Sequence, residues 1–333
     1  MSPQAPGASA SSDAARTRGA PGPEVVALGE PMVEFNQTGE GGGRLYLQGF
    51  GGDTSNFAIA AARQGARVGY LSAVGDDPYG AMLRALWARE GVNTGGVRTD
   101  ADAFTAIYFV THDAQGHHFH FFRRGSAASR MRPADLDRAL IQQARVLHLS
   151  GISLAISETA RETGFAAIDL ARQAGVKVSF DTNLRLKLWP LEQARTVMDE
   201  ALRHCDIALP SLEDITALTG LTDPDAIADH CLARGARTVA LKLGERGALV
   251  ASPGERHRIA PHPCQPVDAT GAGDTFGGAF VARLVAGDSL RDAGRYAAAA
   301  AALSTQGWGA VDPIPHAAQV RQALEALDKE DDA

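Results

Sequence analysis

The sequence has few cysteines, no excess of positive charge and no long apolar run. Cys205, Cys231 and Cys264 are far apart and form no CxxC pair, which argues against a disulfide framework or a zinc knuckle. Lys and Arg total 32 against 39 for Asp and Glu, so the chain has no general attraction to nucleic acid or anionic membranes. The run 297–303 is mostly alanine and too short to span a bilayer. We therefore expect a cytoplasmic protein with reduced thiols that binds neither nucleic acid nor membranes.

Several nucleotide-binding and hydrolytic motifs are also missing. The dipeptide Gly-Lys occurs nowhere, so no Walker loop is present, and Gly29 after the first predicted strand is followed by Glu30 and Pro31 rather than by a GxGxxG fingerprint. The GxSxG elbow of serine hydrolases is absent as well. The histidines of the segment 117–120 have no second pair of ligands at a clear spacing, so we do not expect a metal site there.

The order of predicted elements indicates one α/β domain over residues 24–328. Residues 1–23 are rich in Ala, Ser, Gly and Pro and are expected to be a disordered tail, and 329–333 are expected to be a short second tail. Between them, short apolar strands alternate with amphipathic helices, which predicts a mostly parallel sheet with helices on both faces. Strand signals without an intervening helix over 104–124 predict a hairpin in a smaller sheet that stands off the main body.

The segment Val267–Phe276 (VDATGAGDTF) combines small residues with an acid at the start of a predicted helix. Backbone N–H groups of Gly271, Ala272 and Gly273 can approach an anion closely, and the helix N-terminus adds positive partial charge. With Asp274 beside that anion, the segment has what phosphoryl transfer to a hydroxyl requires. From these residues alone, an ordinary helix start whose acid complements the dipole explains the pattern equally well.

Other polar segments also lie where strands end or helices begin. Residues 51–56 (GGDTSN) suit the hydroxyls of a small polyol, although helix capping explains them too. Arg185 follows an apolar strand by a few residues, at the edge where open α/β sheets bind ligands, and offers a planar fork to a carboxylate or phosphate; a surface arginine paired with an acid is the alternative. The loop 242–247 (KLGERG) could pass under a nucleotide or serve only as a hairpin turn.

From about Val25 to Leu327 the chain resembles the PfkB/ribokinase family of carbohydrate kinases. VDATGAGDTF is similar to the second signature of that family, and GGDTSN is similar to the first. Within the family, FFRRGSAAS (121–129) and DTNLRLKLW (181–189) resemble segments of the 2-keto-3-deoxygluconate kinases, and fructokinases share much of the second segment.

This resemblance implies a ribokinase-like three-layer α/β/α fold with a small β-sheet lid, built from about 31–50 and 104–124, that also mediates homo-oligomerisation. It implies ATP-dependent phosphorylation of 2-keto-3-deoxygluconate to its 6-phosphate. Asp274 would be the general base, and the backbone of Gly271, Ala272 and Gly273 the anion hole. The residues implied to line the sugar-acid pocket are Gly52, Asn56, Tyr108, Phe121, Arg123 and Arg185. The residues implied to lie along ATP are Asn183, Ser211, Lys242, Gly244 and Gly247, together with Gly271 and Gly273.

The chain departs from the family pattern in two places. Phe121 stands where the 2-keto-3-deoxygluconate kinases commonly have tyrosine, so a hydroxyl contact is missing or replaced. The NxxE element associated with Mg²⁺ is replaced by residues 211–214 (SLED), so the metal role passes to Asp214, with Glu213 as the rival. The resemblance also allows a monovalent-cation site near Asp268 and Thr270.

Two arginines favour a sugar acid over a neutral sugar. Arg123 from the lid and Arg185 from the main body could each form charge-assisted bonds to a carboxylate of roughly 1.5–3 kcal/mol. A neutral sugar would leave both guanidinium groups without a partner. The alternatives are a fructokinase or other neutral-sugar kinase of the same family and, more remotely, a non-catalytic regulator that binds sugar or nucleotide.

Overall fold

The computed structural model describes residues 22–113 and 116–331. The expected N-terminal tail, apart from its last two residues, therefore lies outside the described residues. Within them, nine strands form one sheet in the order β13-β12-β11-β10-β9-β8-β1-β4-β5, and four form a second sheet in the order β3-β2-β6-β7. In chain order the strands are β1 (Val25–Leu28), β2 (Met32–Gln37), β3 (Tyr46–Gly51), β4 (Val68–Gly75), β5 (Val97–Asp100), β6 (Ile107–Asp113), β7 (Gly116–Phe122), β8 (Val146–Ser150), β9 (Lys177–Asp181), β10 (Ile207–Ala208), β11 (Thr238–Lys242), β12 (Ala248–Ala251) and β13 (Arg256–Ile259).

The large sheet is parallel from β5 to β11 and antiparallel only where β12 and β13 join it. Every residue of β1 and β4 is buried, as expected for central strands covered on both faces. The chain moves to opposite sides of β1 to form β4 and β8, so the strand order reverses beside β1. Such a switch point opens a crevice at the carboxyl ends of the strands.

Helices cover both faces of this sheet, which confirms the predicted three-layer α/β/α architecture. One buried apolar cluster lies under α1, α2, α9, α10 and α11, and a second under α3 to α8. The helices are α1 (Asp53–Arg63), α2 (Pro78–Arg89), α3 (Arg138–Gln143), α4 (Gly151–Ala155), α5 (Glu158–Gln173), α6 (Leu191–His204), α7 (Leu212–Thr219), α8 (Pro224–Arg234), α9 (Ala272–Ala286), α10 (Leu290–Ser304) and α11 (Ala317–Asp331). Among the described residues, no helix combines the length and apolar character that a bilayer crossing requires.

The small sheet is the lid, and it has its own small core. Its strands β2 and β6 run parallel, while β3 and β7 pair with them antiparallel at the two edges. Met32, Ala106, Tyr108 and Val110 form this buried cluster, and Phe119 packs against it. The hairpin of β6 and β7 closes at the pair Asp113–Gly116, and its two turn residues lie outside the described residues.

Helix α9 begins at Ala272 and holds Asp274 in its first turn, as the sequence of this segment predicted. Other elements differ from the expectations at one end or were not expected. Helix α11 continues to Asp331, so residues 329–331 are helical rather than part of a separate C-terminal tail. The edge strands β5 and β13 were not expected because their sequences, VRTD and RHRI, are largely polar and partly exposed. Edge strands commonly carry such charges, which hinder pairing with other chains.

Close packing of α9 on α1 sets the position of the helix start that carries Asp274. A Cβ atom at Gly278 would lie 2.5 Å from the carbonyl oxygen of Phe57 and 2.7 Å from the Cβ of Ala60, and one at Gly277 would lie 3.3 Å from the Phe57 ring. Gly278 therefore lets the helix backbones approach to a distance that a side chain would prevent, and Gly277 leaves room for the Phe57 side chain of α1.

We expect Gly278→Val to lower the free energy of unfolding by about 1–3 kcal/mol, because the added atoms must force α9 away from α1. Urea unfolding followed by circular dichroism measures this change. Ala85→Val, at an exposed position of α2, is the matched control and should change stability by about 0.5 kcal/mol or less. Equal effects of the two substitutions would contradict close packing at Gly278.

Candidate active site

The candidate site lies in the crevice between the carboxyl edge of the large sheet and the lid. Helix α9 enters it with Gly271 as its N-terminal flanking residue, in the left-handed conformation with φ of 76°. A Cβ at Gly271 would also lie 2.9 Å from the carbonyl oxygen of Ala310, so glycine is required there for two reasons. The first N–H groups of a helix have no partner within the helix. One of them, that of Ala272, donates to the Ala269 carbonyl at 3.2 Å, which tightens the turn before the helix.

Asp274 faces α1 across this crevice. Its Oδ2 accepts a hydrogen bond from Asn56 Nδ2 at 2.8 Å, while Oδ1 of Asn56 is buried and has no partner among the described residues. Burial, followed by the charge of Asp53, raises the pKa of Asp274 to about 8, although the Asn56 hydrogen bond and the Lys242 charge act in the opposite direction. A carboxylate with such a pKa can accept a proton near neutral pH.

Polar side chains from β9 and α7 continue the site away from Asp274. Asn183 donates from Nδ2 to Asp53 at 2.9 Å, and Thr182 donates from Oγ1 to Asp214 at 2.9 Å. Among the non-glycine residues that the structure describes, Asn183 is the one with a positive φ, which is 31°. Backbone strain of this kind occurs most often at functional sites. Asn183, predicted to lie along the nucleotide, is thus bonded to Asp53 of α1, and Asp214, predicted for the metal, is bonded to the residue next to Asn183 in the chain.

Lys242 brings positive charge to the same place. Its Nζ lies 2.5 Å from Oδ2 of the buried Asp181 at the end of β9, and a Cβ added to Gly273 would be 3.6 Å from this Nζ. The ammonium is therefore next to the backbone of the predicted anion hole. Burial raises the pKa of Asp181, and the charge of Lys242 opposes that rise.

The loop after β11 turns under this region. Gly244 and Gly247 both have positive φ, 61° and 82°, and the loop joins two antiparallel strands as a hairpin. The loop thus has the shape of a hairpin turn, and its contact with a nucleotide stays a prediction. Ser211 accepts from the N–H of Asp214 at 3.1 Å, so its hydroxyl caps α7.

The lid contributes a buried polar pair that sequence reasoning missed. Tyr108 Oη donates to Glu34 Oε2, and both side chains are buried. A Cβ at Gly51 would meet the Tyr108 ring, so this glycine makes room for the predicted pocket residue. Burial raises the pKa of Glu34. Phe121 lies beside Tyr108, with ring centroids 5.5 Å apart, and remains partly exposed. Along β2 the residues Glu34 and Asn36 alternate with the apolar Val33 and Phe35, so the sequence pattern gave no signal that the Glu34 carboxylate is buried.

The two predicted arginines are in different electrostatic states. Arg123 pairs with the buried Glu30, with Nη2 and Oε2 2.5 Å apart. The charge of Arg123 is thus already matched by Glu30, which sequence reasoning did not foresee, and its contact with a substrate stays a prediction. Arg185 is exposed and donates to the carbonyl of Leu184 at 2.9 Å, and it has no carboxylate partner among the described residues.

The acids near Lys242 suit a metal ion that arrives with a phosphate ligand. Within residues 22–113 and 116–331, no group of three or more possible ligands forms a dedicated metal site, and the hairpin histidines make other contacts: His118 with Asp113, and His120 with Thr111. Mg²⁺ in phosphoryl-transfer enzymes takes one or two carboxylates and fills the remaining positions with phosphate and water. Asp214, held by Thr182, fits that requirement.

A carboxylate in the first turn of a helix, beside a glycine-rich N-terminus and below a β-sheet lid, is the arrangement of a kinase that phosphorylates a small hydroxyl compound. The sequence comparisons assign the family. The chain belongs to the pfkB family of carbohydrate kinases, whose model matches residues 23–317. It is therefore a sugar kinase of an ATP-using family.

Relatives within the family carry different substrate names. The chain is 34% identical to fructokinase-1 of Oryza sativa subsp. japonica, covering 91% of this chain and 98% of that protein. It is also 34% identical to the 2-dehydro-3-deoxygluconokinase of Thermoproteus tenax, covering 91% and 94%. A putative ribokinase II of E. coli in complex with ATP and Mg²⁺ superposes with a TM-score of 0.84 at 25% identity, covering 91% and 99%.

Asp274→Asn should stabilise the protein at alkaline pH. The folded chain keeps a proton on Asp274 up to about pH 8, whereas the ordinary value is 3.8, so the contribution of this group to stability is lost as pH rises towards 8. Asparagine does not ionise, so the advantage of the variant should grow between pH 5 and 8 by up to about 1.4 kcal/mol per pH unit.

Urea unfolding at several pH values measures this advantage. Asp102→Asn, at an exposed turn, is the control and should show no growth with pH. An advantage of Asp274→Asn that is the same at pH 5 and pH 8 would contradict the raised pKa.

Proposed function

We propose that this protein transfers the γ-phosphoryl group of ATP to the 6-hydroxyl of 2-keto-3-deoxygluconate. The observation that carries the choice of a sugar acid is Arg185, a guanidinium at the carboxyl edge of the sheet without a carboxylate partner among the described residues. A substrate carboxylate supplies that partner, whereas a neutral sugar supplies only hydroxyls. The similarity to the Thermoproteus tenax 2-dehydro-3-deoxygluconokinase adds support.

Asp274 acts as the general base in this proposal. Asn56 holds Oδ2, which leaves Oδ1 to accept the proton of the sugar hydroxyl as its oxygen attacks the γ-phosphorus and ADP leaves. Backbone N–H groups at Gly271, Ala272 and Gly273 would face the charge that develops on the transferred group, and the N–H of Ala272 would exchange its bond to the Ala269 carbonyl for one to that group. The raised pKa of Asp274 makes it a stronger base than an exposed aspartate.

Nucleotide and metal would occupy the side of the crevice that contains Lys242. Asn183, Ser211, Gly244 and Gly247 border the nucleotide in this proposal, and Asp214 contributes an oxygen to Mg²⁺. Bound Mg²⁺ neutralises phosphate charge during transfer. Among the carboxylates of this region, Lys242 supplies a positive charge of the protein's own.

The sugar would lie between the lid and α1. Gly52 and Asn56 come from α1 and its start, while Tyr108, Phe121 and Arg123 come from the lid. Phe121 contributes an apolar ring where the similar kinases have a tyrosine hydroxyl, and the nearby Tyr108 supplies a hydroxyl on the same strand pair.

Further parts of the proposal concern ions and assembly. Asp268 accepts hydrogen bonds from Thr270 and from the N–H of Gly309. These bonds order a turn that would suit a monovalent cation.

Three exposed apolar side chains lie on the lid: Leu45, Leu47 and Phe122. They would be covered if two copies of the chain paired through their lids. The cytoplasm is the compartment that we propose for the chain.

A fructokinase is the second candidate. The pairing of Arg123 with Glu30 favours it, because this leaves a single free guanidinium in the pocket rather than two. The chain is 34% identical both to fructokinase-1 of Oryza sativa and to the 2-dehydro-3-deoxygluconokinase of Thermoproteus tenax.

A coupled ADP-release assay with 2-keto-3-deoxygluconate, its galactonate epimer and fructose tests the proposal. We expect kcat/KM to be at least about tenfold higher for the sugar acid than for fructose, as one charge-assisted pair provides. A preference for fructose would replace the proposed function with the second candidate.

Arg185→Gln, in the same assay, should lower kcat/KM for the sugar acid about tenfold or more and leave the KM for ATP unchanged. Lys187→Gln removes a positive charge from the same exposed loop and serves as the matched control. Equal losses for the sugar acid and fructose in Arg185→Gln would remove the argument for a carboxylate.

A further inference from the structure

Glu30 lies at a junction where the chain passes between the main body and the lid. It follows β1 of the large sheet and precedes β2 of the lid, while Arg123 directly follows β7 on the return path. The ion pair between Arg123 Nη2 and Glu30 Oε2 therefore joins two separate crossings. Both partners are withdrawn from water, with side-chain exposures of 0% for Glu30 and 11% for Arg123.

Neighbouring groups hold this pair in place. Ser126, also buried, donates from Oγ to Oε1 of Glu30 at 2.5 Å. The Arg123 guanidinium lies 5.7 Å from the centre of the Phe121 ring. The chain crosses a third time where it leaves β3 of the lid and enters α1. There, a Cβ atom at Gly52 would collide with the carbonyl oxygen of Glu30. The glutamate is thus fixed by backbone and side chain at the edge of the sugar pocket.

A guanidinium in contact with a buried carboxylate presents almost no net charge to a ligand. Low local polarity strengthens the attraction between the two, and removal of one partner leaves the other as an uncompensated buried charge. Arg123 and Arg185 therefore differ in what they offer an anionic sugar: the first contributes hydrogen bonds and shape, and the second contributes charge.

We propose that Glu30 is a specificity-determining residue that fixes the charge of the sugar pocket, by neutralising and positioning Arg123 so that Arg185 alone pairs with the carboxylate of the substrate. The part that concerns the sugar acid rests on the proposed function. The role of Glu30 in setting the charge does not depend on which sugar is the natural substrate.

The test compares kcat/KM for 2-keto-3-deoxygluconate with that for fructose in charge variants of the pair. Glu30→Gln leaves Arg123 charged and unpaired, so the ratio of sugar acid to fructose should rise about tenfold, within the range of measured charge-pair couplings. Glu30→Gln/Arg123→Gln removes both charges and should return the ratio to within about threefold of the wild type. Because a ratio is measured, a uniform loss of activity from altered packing does not affect the result.

Arg124→Gln, an exposed neighbour with the same substitution, is the matched control and should leave the ratio unchanged. An unchanged ratio in Glu30→Gln would overturn the proposal. If Glu30→Gln does not fold, the double variant decides: a tenfold fall in its ratio would show that the charge of Arg123 itself pairs with the substrate.

A wild-type protein that phosphorylates fructose but not 2-keto-3-deoxygluconate would refute the proposed function separately. Glu30 is then tested by using 2-keto-3-deoxygluconate as an inhibitor of fructose phosphorylation. Glu30→Gln should strengthen this inhibition about tenfold, and an inhibition equal to that of the wild type would overturn the inference.

Discussion

The contact between α1 and α9 is the constraint on which the candidate site depends. Gly277 and Gly278 allow the two helix backbones to approach, and this places Asn56 of α1 within 2.8 Å of Asp274 in the first turn of α9. In the proposed reaction, the sugar would lie beside the start of α1 and the transferred phosphate beside the start of α9. A displacement of either helix would separate the proposed base from the hydroxyl that it deprotonates.

The electrostatic character of the crevice follows from that packing. Burial and the charges of Asp53 and Asp181 raise the cost of ionising Asp274, and Lys242 relieves only part of it. Such a concentration of negative charge stores unfavourable energy in the absence of cationic ligands. It also raises the basicity of Asp274, so the same repulsion that reduces stability prepares the residue for proton transfer. Lys242 and a metal ion that enters with ATP would then balance the phosphate charge.

Sequence reasoning predicted the parts of the structure that local patterns determine. The alternating βα order predicted the three layers, and the GAGD segment predicted a helix start with an acid in its first turn. It missed Glu30 and Glu34 as pocket residues, because their importance comes from pairing with Arg123 and Tyr108, about 93 and 74 positions away. The partner of Arg123 was missed for the same reason. The edge strand β13 lacked an apolar run, since its charged side chains pair with acids on α8 instead.

The pH dependence of kcat/KM in the wild type and in Asp53→Asn tests most directly whether Asp274 is a base tuned by its buried neighbours. The wild type should lose activity as pH falls through about 8, because the essential carboxylate of the free enzyme becomes protonated. Removal of the Asp53 charge lowers the pKa of Asp274, so the midpoint should move to lower pH in the variant. A midpoint that stays the same in both proteins would contradict the account.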